Sequence, residues 1–277
     1  MLVTTDWVAE HGRDSGVRLI EVDVDTSAYE NGHVEGAVGL SWDTQLCDQV
    51  RRDLLSGDDW AALLNGAGVS NDTTIIAYGD NNNWFAAWFV WQLKYYGHAD
   101  ARLMDGGRLK WEKEKRPVTT DVPSYPAGNY TVDESKMNKD LRAYRKDVEE
   151  VLAGGGINLV DVRSPDEYSG KVLAPPGLNE TCQRGGHIPG AASIPWALAV
   201  QEDGTFKSRD ELQALYGGKG VTNDKPTIAY CRIGERSSHS WFVLKYLLGY
   251  ENVKNYDGSW TEWGNLVGAP INQGSNP

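Results

Sequence analysis

The sequence predicts an α/β protein with two tandem domains of the same kind, each a mostly parallel β-sheet flanked by helices. In both halves of the chain, short apolar runs alternate with amphipathic stretches of helical spacing. This alternation is typical of a parallel sheet that helices cover on both faces. The motif His33-Val-Glu-Gly-Ala37 also returns as His187-Ile-Pro-Gly-Ala191. The two halves therefore resemble each other in sequence as well as in pattern.

The internal repeat extends along the whole chain. Trp42 and Trp196 are separated by the same number of residues as His33 and His187. Further matching pairs are Thr74-Ile-Ile-Ala-Tyr78 with Thr227-Ile-Ala-Tyr230, and Asp105-Gly-Gly-Arg-Leu-Lys-Trp111 with Asp257-Gly-Ser-Trp-Thr-Glu-Trp263. A long unit present once in each half indicates two domains and excludes a solenoid, whose repeats are shorter.

The predicted domain boundaries follow from composition. Residues 117–130 are rich in Pro, Thr, Ser and Gly and show no periodicity, as expected of a connecting segment. We therefore predict a first domain at residues 1–116, a linker at 117–140 and a second domain at 141–277.

Secondary structure is clearest in the second half. Strands are predicted at Leu159–Val162, Ala192–Ile194, Thr227–Tyr230 and Val253–Tyr256. Helices are predicted at Leu141–Leu152, Arg209–Tyr216 and Trp241–Leu248. Ser208 and Glu211 form a capping box at the start of the second of these helices. In the first half, a strand at Thr74–Tyr78 precedes a helix at Trp84–Tyr96.

Composition limits the possible partners. The chain has 277 residues, enough for two domains, and a net charge of −12 at pH 7, which argues against nucleic acid or an anionic membrane as a partner. Three cysteines (Cys47, Cys182 and Cys231) give no disulfide framework. The N-terminus lacks the pattern of a secretory signal, and the longest apolar stretch, Phe85–Trp91, is far below the ~20 residues that span a bilayer. We expect a soluble, cytoplasmic protein, and the sequence leaves the oligomeric state open.

The strongest chemical signal is the segment Ala229–Ser238, which has the sequence AYCRIGERSS. It places Cys231 after the strand-like run Thr227–Tyr230 and before a helical run, with Gly234 and two arginines close by. A thiol at the carboxyl end of a strand and facing a helix N-terminus lies where α/β sheets usually hold their reactive groups. Such positive surroundings favour an anion and lower the pKa of a cysteine thiol. We therefore predict a nucleophilic Cys231 in an anion-binding loop, with a buried structural cysteine as the alternative.

The repeat provides an internal comparison for this loop. The position that matches Cys231 is Gly79, in Tyr78-Gly-Asp-Asn-Asn-Asn83, and the first copy has no thiol or arginine pair there. The fold alone therefore does not require the cysteine. We predict that the first domain is catalytically inactive.

Other residues of chemical interest are predicted to be structural. His33 and His187 occupy the same place in both copies, which favours a structural hydrogen bond over a metal or general-base role. Asp161 and Arg163 are expected to form a pair that braces a loop. Cys182 is expected at the surface by chance, with a resolving role in oxidation as the alternative. No metal site and no cofactor are predicted.

Four motifs bear on the family of this chain. They are Leu159-Val-Asp-Val-Arg163, Gly186-His-Ile-Pro-Gly-Ala191, Cys231-Arg-Ile-Gly-Glu-Arg-Ser237 and Tyr256-Asp-Gly-Ser-Trp260. Together, and with the duplication, they make the whole chain resemble the two-domain rhodaneses, the thiosulfate sulfurtransferases. The resemblance implies two tandem rhodanese-like domains. It also implies that a Cys231 thiolate takes the outer sulfur of thiosulfate, that sulfite leaves, and that the persulfide passes its sulfur to cyanide or a thiol.

The resemblance implies a role for each residue of the site. Cys231 is the nucleophile. Arg232 and Arg236 bind the sulfonate, since a forked guanidinium suits its oxygens. The other substrate-binding residues that it implies are Lys171, Gly234, Ser237 and Ser259. The expected partners are a small anionic sulfur donor and a thiophilic acceptor.

Two positions depart from the family pattern, and three other functions stay open. Ile233 stands where thiosulfate enzymes of the family carry a second basic residue, and Glu235 places an acid in a loop expected to bind anions. A 3-mercaptopyruvate sulfurtransferase is the first alternative, although that group typically has a small residue where Arg232 stands. A phosphatase of related fold is disfavoured. The phosphatases of this fold typically carry five residues between the cysteine and the arginine, whereas only four residues separate Cys231 from Arg236. The third alternative is a non-catalytic persulfide carrier.

Overall fold

The computed structural model describes residues 1–154, 156–175 and 182–277. Within them the chain forms two compact units, one of Met1–Lys139 with Gln201–Phe206 and one of Asp140–Val200 with Lys207–Pro277. In this described part of the chain, each unit holds a five-stranded sheet whose neighbouring strands are all parallel. The predicted fold class, two tandem domains with mostly parallel sheets and flanking helices, is confirmed.

The first unit places a strand that is buried along most of its length at the centre of its sheet. Its elements are β1 (Leu2–Val3), α1 (Thr5–His11), β2 (Val17–Glu21), β3 (Val38–Gly39), α2 (Gly57–Gly66), β4 (Thr74–Tyr78), α3 (Asp80–Tyr95), β5 (Ala101–Met104) and α4 (Gly107–Lys113). The strand order is β1-β5-β4-β2-β3, with Leu19 opposite Ile76. Ile76 and Ala77 of β4 have no exposed surface, as expected of a strand covered on both faces.

The second unit repeats this architecture. Its elements are β6 (Arg142–Ala143), α5 (Arg145–Leu152), β7 (Asn158–Asp161), α6 (Pro165–Ser169), β8 (Ala192–Ser193), α7 (Arg209–Gly217), β9 (Thr227–Tyr230), α8 (Glu235–Phe242), β10 (Val253–Tyr256) and α9 (Ser259–Trp263). The strand order β6-β10-β9-β7-β8 is that of the first sheet, and Val160 lies opposite Ala229. Central strand β9 therefore corresponds to β4, and its carboxyl end leads directly to Cys231.

The predicted helix at Leu141–Leu152 is wrong at its start. Arg142 and Ala143 form β6 and pair with β10, and the helix begins at Arg145. Leu141 and Ala143 are buried whereas Arg142 between them is half-buried. This period of two is the burial pattern of a strand, and the short apolar run did not distinguish it from a helix.

The helix after Cys231 also begins earlier than the predicted Trp241–Leu248. Helix α8 runs from Glu235 to Phe242, and a π-helical turn continues it from Val243 to Leu247. The first residues of α8 are polar, so a prediction based on apolar periodicity did not include them. Its N-terminus therefore lies next to the cysteine loop.

Each sheet has its own apolar core. The largest side chains buried in the second core are Tyr168, Tyr230, Tyr256, Trp260 and Trp263. Two of these residues, Trp260 and Trp263, lie on α9, the short helix that follows β10. Among the helices that the structure describes, none combines the length and the apolar character that crossing a bilayer requires.

Candidate active site

Cys231 lies at the carboxyl end of β9 and is completely buried. The chain turns from it into α8 at Gly234, whose φ is +101°. The backbone N–H of Gly234 donates to the Cys231 Sγ at 3.2 Å. A Cβ at this position would lie 2.5 Å from the Asp257 Oδ1, so both the dihedral angle and the space require glycine. Gly234 thus closes a tight loop around the sulfur, as the sequence predicted.

Helix α9 holds the same loop from the other side. The N–H of Trp260 donates to the carbonyl of Cys231, and the N–H of Thr261 to that of Arg232, each at 3.0 Å. N–H groups in the first turn of a helix have no partner within the helix, and here they are satisfied by the loop.

The side chain of Ser259 contacts the backbone of Cys231. The Ser259 Oγ accepts from the Cys231 N–H at 3.0 Å and donates to the Tyr256 carbonyl at 2.6 Å. Its φ of +51° is unusual for a serine, and these two bonds stabilise that strained conformation. The structure therefore places the Ser259 hydroxyl on the amide of Cys231, and its role in binding substrate stays a prediction.

Asn255, a buried polar residue on β10, also supports the cysteine loop. It was not identified from the sequence. The Ser237 Oγ lies 3.5 Å from the Cys231 Sγ and donates to the Asn255 Oδ1 at 2.6 Å. The Asn255 Nδ2 donates to the Gly234 carbonyl at 3.1 Å. An asparagine two residues after Val253, and therefore on the same face of β10, was a signal for such a role, since buried amides need partners.

Glu235 points into the loop. The thiol of Cys231 donates to the Glu235 Oε2 at 3.2 Å, and the N–H of Ile233 donates to the same oxygen at 3.3 Å. The side chain of Glu235 is 1% exposed. A carboxylate therefore occupies part of the loop that the sequence assigned to an external anion.

The prediction that the surroundings lower the pKa of Cys231 is wrong for the resting protein. Burial raises the pKa of this thiol, and the charge of Glu235 raises it further. The charge of Arg236 and the hydrogen bond to Ser237 lower it and offset only part of this rise. Desolvation and a like charge together outweigh the basic neighbours.

Arg236 is paired with an acid from another element. Its two terminal nitrogens donate to the two oxygens of Glu167 on α6, each at 2.9 Å. The side chains are 2% and 1% exposed. The pair occupies the two nitrogens that the sequence assigned to a sulfonate. The structure thus gives Arg236 a bracing contact, and its contact with a sulfonate stays a prediction.

The other two predicted basic residues differ in their surroundings. Arg232 is buried in the loop directly after Cys231. Lys171 has a side chain that is 73% exposed, and its Nζ lies 3.0 Å from the Asp166 Oδ1. The contacts that the structure describes for Lys171 do not include the cysteine loop.

The first unit shows a different loop at the matching position. The N–H of Gly79 donates to the Asn83 Oδ1 at 2.9 Å, so an amide side chain closes this loop. A Cβ on Gly79 would lie 2.1 Å from the Val22 carbonyl oxygen. This position has no room for a cysteine side chain.

The histidines form hydrogen bonds to backbone, as predicted. The Nδ1 atoms of His33 and His187 lie 2.9 Å from the carbonyl oxygens of Tyr29 and Tyr168, and each ring stacks on that tyrosine. The matching geometry in both units supports a structural role.

The remaining predicted side chains are also buried. Arg163 donates to Asp161 in the expected pair. The expectation of an exposed Cys182 is wrong, because this residue is 5% exposed within the apolar core. Within the described residues, no three His, Cys, Asp or Glu side chains converge as a metal site requires.

Comparison with known proteins connects this geometry to one family. The model of the rhodanese-like domain matches residues 4–114 and again residues 144–266. The chain is 56% identical to the "Putative thiosulfate sulfurtransferase" of Haloferax volcanii, over 99% of this chain and 97% of that protein. It is 57% identical to the sulfur carrier protein TtuD of Thermus thermophilus, with the same shares covered.

A solved structure agrees in fold. The 3-mercaptopyruvate sulfotransferase SseA of Escherichia coli superposes with a TM-score of 0.81 at 28% identity, over 94% of this chain and 98% of that one. The duplicated family match, the close relatives and the shared fold confirm the resemblance that the motifs predicted. The chain belongs to the rhodanese family and carries two rhodanese-like domains.

Proposed function

We propose that this protein is a thiosulfate sulfurtransferase that carries sulfane sulfur on Cys231. The observation on which the proposal depends is a buried thiol at the end of β9 with the N–H of Gly234 aimed at its sulfur at 3.2 Å. A persulfide formed on this sulfur is anionic, and a fixed N–H donor stabilises such an anion without reorganisation. One donor of this kind is typically worth ~3–4 kcal/mol.

The proposed reaction has two steps. The Cys231 thiolate attacks the outer sulfur of thiosulfate, and the S–S bond of thiosulfate breaks so that sulfite leaves with its electron pair. A thiophilic acceptor then removes the outer sulfur and regenerates the thiolate. Nucleophile, donor and acceptor supply every atom, so the scheme includes no metal or cofactor.

The site residues divide into two groups under this proposal. Arg232 faces the sulfonate, since it is the basic residue of the loop next to the nucleophile. Lys171, which is exposed, attracts the anion at longer range. Gly234, Ser237 and Ser259 hold the loop amides around the sulfur, and Arg236 braces the loop. The first domain takes no part in the chemistry.

A phosphatase is disfavoured by Glu235. Phosphate transfer to Cys231 would bring phosphorus, with its charged oxygens, to within bonding distance of the sulfur, where the Glu235 carboxylate already lies at 3.2 Å. With thiosulfate, the atom that meets the sulfur is the outer sulfur. The sulfonate oxygens then lie one bond further away.

A persulfide carrier is the second candidate, because one relative, TtuD, has the name of a sulfur carrier. A carrier and an enzyme share Cys231 and its persulfide. They differ in whether a small acceptor takes the sulfur with turnover.

The test is to incubate the protein with thiosulfate and weigh it intact. We expect one added sulfur on the wild type and on Cys182→Ser, a matched change of another buried thiol, and none on Cys231→Ser. No added sulfur on the wild type, or equal addition to Cys231→Ser, would contradict the proposal. Repeated formation of thiocyanate from cyanide separates the enzyme from the carrier. Hydrolysis of phenyl phosphate would favour the phosphatase, and turnover with 3-mercaptopyruvate but not thiosulfate would favour the other transferase.

A further inference from the structure

The carboxylate of Glu235 is buried against the reacting sulfur. Its Oε2 lies 3.2 Å from the Cys231 Sγ and accepts the thiol hydrogen, and the residue is 1% exposed. Excluding water from a carboxylate is costly, so such a group is retained only with strong partners or for a function.

Structural contacts account for this carboxylate only in part, although its Oε2 also accepts the Ile233 N–H at 3.3 Å. Arg236, which forms an ion pair with Glu235, gives both of its terminal nitrogens to Glu167. Its Nε lies 3.4 Å from the Glu235 Oε1, and this Oε1 has no hydrogen-bond partner among the described residues. The loop is already fixed by Ser259, by Asn255 and by the amides of α9. Glu235 therefore directs one oxygen at the thiol hydrogen, and its other oxygen meets the Nε of Arg236 without a hydrogen bond.

We propose that Glu235 is the catalytic proton acceptor of Cys231, an inference that rests on the proposed sulfurtransferase function. As thiosulfate docks, the S–H bond breaks and an O–H bond forms on Glu235. The electron pair left on sulfur forms the new S–S bond. The S–S bond of thiosulfate breaks, and its pair leaves with sulfite. The thiol is thereby oxidised to the persulfide, and the sulfonate group is reduced to sulfite.

The proton then stays in the site for the second step. Neutral Glu235 donates a hydrogen bond to the persulfide anion. When the acceptor removes the outer sulfur, the proton returns to Cys231 and the resting pair is restored. A thiolate and a carboxylate 3.2 Å apart would repel each other and the thiosulfate dianion. One shared proton avoids this repulsion, so the pair reacts as a unit.

Three ionisable neighbours of the pair do not change their charge near neutral pH. The charged or titratable neighbours are Arg232 and Arg236 of the loop and α8, Glu167 of α6, His239 of α8 and Asp257 after β10. The pKa of Arg236 is raised, despite opposing burial, by its acidic partners. Burial alone would raise the pKa of Glu167, and the bonds and charge of Arg236 lower it overall. Burial lowers the pKa of His239 to about 3. These three groups keep one charge state from mildly acidic to mildly basic pH.

The experiment compares single-turnover persulfide formation in the wild type and Glu235→Gln as a function of pH. We expect a wild-type rate that is nearly independent of pH from about pH 5.5 to 7.5, since the proton moves within the pair. Glu235→Gln can react only as free thiolate, so its rate should rise about tenfold per pH unit over this range. At the acidic end the variant should be slower by about a hundredfold.

A second variant and a second readout control for folding. Glu262→Gln removes an exposed carboxylate that accepts from the Tyr256 hydroxyl in the same unit, and it should keep the wild-type profile. The infrared difference spectrum on adding thiosulfate should show a protonated carboxyl group in the wild type and not in Glu235→Gln.

Two results would overturn the inference. They are a wild-type pH profile in a folded Glu235→Gln, or a faster reaction of that variant at every pH, which would mean that Glu235 acts by repulsion alone. If the wild type takes no sulfur from thiosulfate, the proposed function fails separately. The same pH profiles measured with iodoacetamide, which needs no sulfur donor, then decide the proton transfer.

Discussion

The ion pair of Arg236 and Glu167 fixes the cysteine loop to another element of the second unit. Both side chains are almost fully buried and are joined by two parallel hydrogen bonds. A bidentate pair of this kind sets the orientation of the guanidinium as well as its position. Arg236 in turn places a fixed positive charge near Glu235 and Cys231. The pair therefore contributes both to stability and to the charge state of the site.

Glu167→Gln should destabilise the protein in a pH-dependent manner. Removing one member of a buried pair leaves the other uncompensated, which typically costs about 3 kcal/mol. The pKa of Glu167 is lowered in the folded state because Arg236 outweighs the effect of burial. Its contribution is therefore complete above the unfolded value of about 4.3 and is lost as the pH falls through the lower folded value. Urea unfolding should show a large difference at pH 7 and a smaller one as the pH falls below about 4.

The control for this change is Asp166→Asn on the same helix. Asp166 pairs with Lys171 at the surface, where both side chains are mostly exposed. Exposed pairs contribute at most about 1 kcal/mol, so this variant should unfold almost like the wild type. Equal effects of the two substitutions would show that the buried pair contributes no more than the exposed one.

At the residue scale, the sequence predicted which residues form the loop but not what each side chain touches. Cys231 and Gly234 were identifiable because their chemistry is local: a thiol after a strand, and a glycine in the turn. The partner of Arg236 lies 69 positions away, and adjacent positions do not reveal it. For the same reason the sequence suggested a thiol with a lowered pKa, whereas burial and the inward-facing Glu235 have the opposite effect.

The element that connects β9 to α8 depends on the geometry of one glycine. Gly234 adopts a φ of +101°, and a Cβ there would lie 2.5 Å from Asp257. A side chain at this position would be strained in its backbone and would push the loop away from α9. The N–H of Gly234, which donates to Cys231, would move with it.

Gly234→Ala should reduce both stability and sulfur transfer. The matched control is Gly154→Ala, because Gly154 has a φ of +100° and no atom of the described residues lies within 4 Å of the place that a Cβ would take. The control should show only the backbone cost, about 1 kcal/mol, and normal activity. Gly234→Ala should lose about 2 kcal/mol or more, with persulfide formation slowed at least tenfold. Thermal unfolding and intact mass after thiosulfate measure these two effects, and equal behaviour of the variants would refute the steric argument.

At the element scale, strands were predicted better than helix boundaries. The strands at Thr227–Tyr230 and Val253–Tyr256 have the predicted bounds, because β-branched and aromatic residues between turn signals mark them clearly. The start of α8 was missed because its first turns carry polar residues that serve the site. Strand β6 was read as helix, since two residues contain too little periodicity to decide.

At the scale of the whole molecule, the two units share a sheet topology but not a loop chemistry. The strand orders correspond one to one, and this was predictable because the repeat preserves the apolar pattern that forms a sheet. The loops differ in their polar contacts. In the first unit Asn83 fills its loop, bonded to Gly79 and to the carbonyl of Met104. In the second unit the corresponding loop is formed around the sulfur of Cys231 instead. Duplication thus preserved the scaffold, while the site depends on a few residues at one strand end.

The net charge of the chain opposes the binding of a dianionic donor. At a formal charge of −12, the protein should repel thiosulfate at long range, while the arginines attract it only nearby. Raising KCl from about 10 to 150 mM shortens the screening length from about 30 to 8 Å, so we expect kcat/KM for thiosulfate to rise on the order of twofold. Hydrogen cyanide, which is neutral at pH 7, provides the control: its half-reaction should not change. A fall of kcat/KM with salt would instead show that the field of the buried guanidinium groups dominates the approach of the donor, and that the acidic surface has no influence on it.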